Sequence, residues 1–528
     1  MPIRSRFTLL TAGLAAASLG LVHAATPPVV RVESGLLQGT EANGVQAFKG
    51  IPYAAPPVGA LRWRPPQPAE TWSGARDATA YGPDCMQAPF PPDAAPIRTQ
   101  PSEDCLTLNV WRPAARIKRA PVMVWIHGGG FVNGGSSPAI YSGEAFARRG
   151  VVLVSINYRL GRFGFFAFPA LTREHADEPK GNYGFMDQIA ALQWVRRNIS
   201  GFGGDPQNVT VFGESAGGMS IHALLLSPAA TGLFQKAIVE SGGGRSLGLG
   251  AARRLSEDAP GIPSAEAIGV NFARQKGIEG EDAAALAKLR ALPAESVTSG
   301  LNMLSLLVPG PATFAGPMLD GRIVRDAPDV AYAAGHAPNT LLLIGANDDD
   351  LGLSFAASVD QALAPFGPDR LQAARAAYDP KGTGDVRQVN ARVGADRMMI
   401  EPARFAARAF TDRGTPVYQY RFGYVAQAMR HDWAAGAPHA SEIPYVFDTV
   451  AARYGTQLAA PDAAVADRLN AYWVNFARTG DPNGPGLPPW PRYEPHSDAL
   501  LQVQADGAAV AGPDPLKVRL DLTASLQK

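Results

Sequence analysis

Apolar runs that alternate with helical patterns predict an α/β fold built on a large, mostly parallel sheet with helices on both faces. Residues 121–126 and 151–156 are apolar almost throughout, as strands covered on both faces must be. A third observation places chemistry on that sheet. The β-branched run at 209–212 ends in Gly213-Glu214-Ser215-Ala216-Gly217, and a small-residue helix start follows. G-x-S-x-G between a strand and a helix is the pattern of a nucleophile elbow, which exposes a serine hydroxyl at a tight, strained turn. Bulk at Gly213 or Gly217 would strike the neighbouring strand and helix.

Taken in order, residues 29–32 and 35–39 predict a hairpin. A Pro-rich surface stretch covers 52–101. The strand at 121–126 runs into His127-Gly128-Gly129-Gly130, a short helix fits 141–149, and the next strand is 151–156. Residues 186–199 carry Ile189, Leu192, Val195 and Ile199 at helical spacing and lead into the elbow strand. A helix from 216 to about 226 follows, its positive end aimed at Ser215. Residues 237–241, 340–344 and 417–422 predict further buried strands. The Ala-rich segments 252–310 and 355–415 read as helical insertions that cap the C-terminal edge of the sheet and shape a pocket there. The 56 glycines and 46 prolines are scattered, as in ordered loops.

With 528 residues, 46% of them apolar, a large core is available. A net charge of +1 without a basic stripe argues against nucleic acid or a charged membrane surface as partner. Arg4 and Arg6, the apolar residues 7–22 and Val22-His23-Ala24 predict a signal peptide over 1–24, cleaved after Ala24 or Ala25. The mature chain, 25–528, is then expected in the periplasm or the medium. No other stretch is long and apolar enough to span a bilayer. Cys85 and Cys105 are the only cysteines. In an oxidising compartment they can close a loop worth about 3 kcal/mol in the chain-entropy model; two buried thiols are the alternative. They are too few for a structural zinc site.

A serine nucleophile needs a base, usually histidine. In this fold class the acid and then the histidine follow the serine in the chain. That order leaves His336, His431, His439 and His496. His439 sits in a loop after Gly436 and Pro438; His127 and His222 are poorly placed. The acid is expected after a strand and before His439, and Asp348-Asp349-Asp350 caps the strand at 340–344. A solvated turn or a calcium loop is the rival reading of the three aspartates, but the spacing matches no EF-hand. An oxyanion hole needs at least two aligned N–H donors. Ala216 supplies one and Gly128-Gly129-Gly130 can supply others. A phosphate loop would need a following Lys-Ser/Thr or G-x-G-x-x-G, and neither is present. No metal or cofactor is expected.

With these residues the chain resembles the type-B carboxylesterase family. The resemblance is carried by Phe48-Lys49-Gly50-Ile51-Pro52-Tyr53, Glu103-Asp104-Cys105-Leu106, Trp125-Ile126-His127-Gly128-Gly129-Gly130-Phe131, Asn157-Tyr158-Arg159-Leu160-Gly161 and Gly181-Asn182-Tyr183-Gly184-Phe185-Met186-Asp187-Gln188, with the elbow and the His439 loop. It implies a one-domain α/β-hydrolase fold over 25–528 and ester hydrolysis through an acyl-enzyme. It implies Gly129, Gly130 and Ala216 as oxyanion donors, a Cys85–Cys105 disulfide, and ion pairs Arg62–Glu103 and Arg159–Asp187. Glu214, Ser241 and Glu442 look like a polar network behind nucleophile and base. By position Asp350 matches the acid, where the family usually has Glu; a slip of one residue would choose Asp349. The loop from Cys85 to Cys105 lacks the Trp that would hold a choline group, which argues against acetylcholine. Amide or carbamate hydrolysis at the same site is the rival chemistry. A non-catalytic binding module of this fold would typically lose the serine or the histidine, and both are present.

Overall fold

The computed structural model describes residues 27–248, 250–308 and 311–527; the expected signal peptide lies outside them. Eleven strands make the central sheet. In spatial order they are Ala509–Pro513, Ala499–Val503, Val417–Phe422, Leu341–Asn347, Lys236–Glu240, Gly204–Glu214, Ala120–Ile126, Val152–Ile156, Thr107–Pro113, Val45–Pro52 and Thr40–Ala42. The strands from Ala499–Val503 to Val152–Ile156 run parallel. Antiparallel strands finish both edges. Those edge strands go beyond the parallel pattern that the apolar runs predict. Edge strands are only partly covered, so their sequences need no continuous apolar run.

The centre of the sheet is buried on both faces. All seven residues of Ala120–Ile126 are buried. Val122, Val124 and Ile126 join one apolar cluster, while Met123 and Trp125 join a second on the opposite face. This is the period-2 alternation of a strand between two helical layers. Tyr183–Asn198 precedes the elbow strand and Ala216–Leu226 follows it. Strand order reverses at Ala120–Ile126, which has Val152–Ile156 on one side and the elbow strand on the other. Ligand crevices in open α/β sheets form at such switch points, outside the carboxyl ends of the strands.

The two insertions behave differently. The described part of the first insertion, residues 252–308, holds the α-helices Ala265–Gln275, Ala283–Arg290 and Ala294–Thr298 and then brings Met303 and Leu306 against Gly130. In the second insertion Leu363, Phe366, Tyr378, Val389 and Val393 build a small core of their own. Its last helix, Glu401–Asp412, instead packs Ala403, Ala406 and Phe410 into the main core. The Cys85–Cys105 disulfide is formed. Arg159 donates to Asp187 through Nε, Nη2 and its backbone N–H, with both side chains out of solvent. Arg62 Nε donates to Glu103 Oε2 at 2.9 Å.

Candidate active site

Ser215 stands at the end of the elbow strand with φ 56° and ψ −122°, a conformation that L residues rarely adopt. Close packing holds it there. A Cβ on Gly217 would overlap the Ile126 carbonyl oxygen, and one on Gly213 would come within 2.6 Å of the same atom. The helix can therefore begin hard against the neighbouring strand. Ser215 N–H donates to Glu240 O, and Met219 N–H closes the first helical turn on Ser215 O. The N–H groups of that first turn, Ala216 included, have no acceptor within their own helix.

The glycine run meets the serine from the adjacent strand. A Cβ on Gly128 would lie 3.0 Å from Ser215 Cβ. Gly129 has φ 105° and packs against the Asn133 carbonyl; its own carbonyl accepts from Val132 and Asn133 N–H. Gly130 has φ 61° and packs against Met303 Sδ. Ser215, Gly128, Gly129, Glu214 and His439 share one cavity of about 240 Å³ with Phe90, Asp93, Tyr141 and Met303.

Of the three aspartates, one reaches the histidine. His439 Nδ1 donates to Asp350 Oδ1 at 2.6 Å. Asp350 also accepts from Ser241 Oγ at 2.7 Å, Asn347 N–H at 2.8 Å and Leu351 N–H at 2.7 Å. Burial alone would raise its pKa; His439 and these donors outweigh that and hold it below the ordinary carboxylate value. Asp348 and Asp349 instead line a separate polar cavity with Asp385, Arg387 and Arg421, and burial raises both. Asp349 N–H donates to Ala437 O, and Asn347 Nδ2 donates to Pro438 O and Glu442 Oε2, so the acid loop and the histidine loop are laced together.

Glu214 Oε1 lies 3.1 Å from His439 Nε2, without hydrogen-bond alignment. Burial pushes the Glu214 carboxyl up to about 8 and Glu442 up to about 7. Burial pulls the His439 imidazolium down, but the carboxylates of Glu214 and Asp350 outweigh it and raise His439. His127 and His222 have other employments. His127 bonds Gly128 O and His222 bonds Tyr332 OH, and burial lowers each to about 4.

The sequence reading does not name Asn347, Glu240 or Met303. Asn347 bridges the two loops as described. Glu240 is buried, accepts from Trp473 Nε1 at 2.6 Å and is raised well above a normal carboxylate by burial. A polar residue closing an otherwise apolar strand run was the available signal for both. Met303 lies in an insertion with no such pattern.

Over residues 26–517 the chain matches the Carboxylesterase family. It is 36% identical to the para-nitrobenzyl esterase of Bacillus subtilis (strain 168), covering 91% of this chain and 96% of that one. It is 35% identical to the fumonisin B1 esterase of Sphingopyxis macrogoltabida, covering 90% and 86%, and 35% identical to carboxylesterase 1E of Mus musculus, covering 94% and 93%. A solved PNB esterase structure superposes with a TM-score of 0.78 at 34% identity, covering 94% of this chain and 99% of that chain. Sequence, sheet and superposition agree: this chain belongs to the carboxylesterase family and is a carboxylic ester hydrolase of the α/β-hydrolase fold.

Proposed function

We propose that the chain hydrolyses esters through an acyl-enzyme on Ser215, with His439 as base and Asp350 as the group that orients it. The observation that carries this reading is the 2.6 Å bond from His439 Nδ1 to Asp350. That bond puts the proton on Nδ1 and leaves the Nε2 lone pair to accept from a hydroxyl. Ser215 Oγ attacks the ester carbonyl carbon as its proton passes to His439 Nε2. The carbonyl oxygen gains negative charge and is met by the N–H groups of Gly129, Gly130 and Ala216, the last at the positive end of a helix. Collapse expels the alcohol, which takes the proton from His439. Water repeats the sequence in reverse on the acyl-enzyme and releases the acid. Ser241 and Glu442 are positioning residues, the first through Asp350 and the second through Asn347.

The N-terminal pattern and the disulfide support export of a cleaved chain, and the family match over 26–517 supports one domain over 25–528. Among the described residues no helix is long and apolar enough to cross a membrane. The nucleophile has a direct test. Ser215→Ala should abolish hydrolysis of p-nitrophenyl acetate while the circular dichroism spectrum is retained, and an organophosphate should label Ser215. A label on Ser241 would overturn the assignment.

A further inference from the structure

A second cavity, of about 230 Å³, begins at Gly130, the residue after the two glycines that line the Ser215 cavity. Met303 lines the first cavity and Leu306 the second, and both lie against Gly130. The second cavity is lined by Phe131, Leu247, Leu306 and Phe314, with several small residues. Arg253 is the one charged residue among those lining it.

Arg253 differs from Arg162, Arg290 and Arg254, which lie near it in the chain or pack on this insertion. Arg162 is buried and spends its guanidinium on the carbonyls of Val297, Ser299 and Thr313 and on Thr313 Oγ1. Arg290 has Glu174, and Arg254 has Glu257 at 3.9 Å. Arg253 is half-buried, and among the described residues its guanidinium makes one bond, from Nη1 to Pro263 O at 2.9 Å. A guanidinium carries five N–H donors. Among the described residues no carboxylate stands within ion-pair distance of it, and burial alone lowers it. A guanidinium held this way offers an incoming carboxylate two parallel donors without breaking an existing ion pair.

The chemistry at Ser215 says which part of an ester reaches this place. The leaving alcohol must face His439, which returns the proton to it. His439 lines the first cavity and not the second. With the carbonyl oxygen at Gly129 and Gly130, the group directed away from His439 is the acyl chain, and the space beyond Gly130 is the second cavity. We propose that this cavity receives the acyl chain and that Arg253, in its wall, binds a carboxylate carried by that chain, so that monoesters of dicarboxylic acids are preferred substrates. This rests on the reading of Ser215 as nucleophile and of the glycines as oxyanion donors.

The test compares monoethyl succinate, glutarate and adipate with the ethyl esters of butyrate, valerate and hexanoate, followed by titration of released acid. Wild type should show a higher kcat/KM for the charged ester at one or more chain lengths. Arg253→Gln should lower the charged-to-neutral ratio about tenfold or more, the scale of a lost charged hydrogen bond. Arg253→Lys should keep much of it. A ratio that Arg253→Gln leaves unchanged, or wild-type preference for the neutral ester at every length, overturns the proposal. Should the variants not fold, added salt serves on wild type. The preference should fall as ionic strength rises, because Arg253 is only half-buried, and a salt-independent ratio counts against the proposal. Failure of wild type to hydrolyse p-nitrophenyl acetate would instead count against the underlying reading of Ser215.

Discussion

Ser215 and Asp350 follow strands on either side of Lys236–Glu240, yet different forces hold them. The serine side is held by shape. Its backbone sits in a sparsely populated region, with glycines where any side chain would strike a carbonyl. Strain of this kind costs about 1–3 kcal/mol and persists only where the surroundings enforce it. The acid side is held by charge and hydrogen bonds: four donors converge on one buried carboxylate. The difference teaches where each half is fragile. The serine side should fail on added volume and respond little to pH. The acid side should fail on lost polarity and follow the protonation of its neighbours.

The largest expected effect is on the acid side. Asp350→Asn removes the charge that favours the imidazolium and lets the wrong tautomer of His439 form. kcat/KM should fall on the order of 10⁴-fold, the scale of the same change in other Ser-His-Asp sites. Asp348→Asn and Asp349→Asn should keep most activity, because their carboxylates line a different cavity. A dead Asp349→Asn beside an active Asp350→Asn would reverse the assignment.

On the serine side, Gly217→Ala tests shape alone. Its new methyl meets the backbone carbonyl of Ile126, which cannot move without disturbing two central strands. Overpacking of this kind costs about 1–3 kcal/mol or more. Thermal melts at pH 6 and pH 9 should show the same loss at both; a loss that depends strongly on pH would blur the contrast between the two sides.

The smallest effect should be a displacement along the pH axis. The Glu214 carboxylate raises the pKa of His439. Removing it in Glu214→Gln disfavours the imidazolium, so the proton leaves His439 at lower pH. The acid limb of the kcat/KM profile should therefore move toward lower pH. An acid limb that does not move would mean that Glu214 does not face the imidazole as a charge.

Much of the site is legible in the residue order because its local rules are strict. Only a short list of residues tolerates the turn around Ser215, and the glycine run at 128–130 stands where an apolar strand ends. Central strands are legible for a related reason: burial on both faces demands an unbroken apolar run, as in Ala120–Ile126. The edge strands Thr40–Ala42 and Ala509–Pro513 carry weaker patterns, because exposed edges accept mixed sequences. The sequence by itself determined the α/β class, the elbow at Ser215, and a histidine and a cluster of aspartates in the right order. For the aspartate that meets His439, position favours Asp350 and leaves Asp349 open; the contact itself belongs to the tertiary structure, since adjacent residues on a loop share one composition and differ only in where packing points them. The same holds for Asn347 between the two loops, and for Arg253 and Met303 beside Gly130. Their partners lie tens to hundreds of residues away, and no local periodicity records a contact between distant segments.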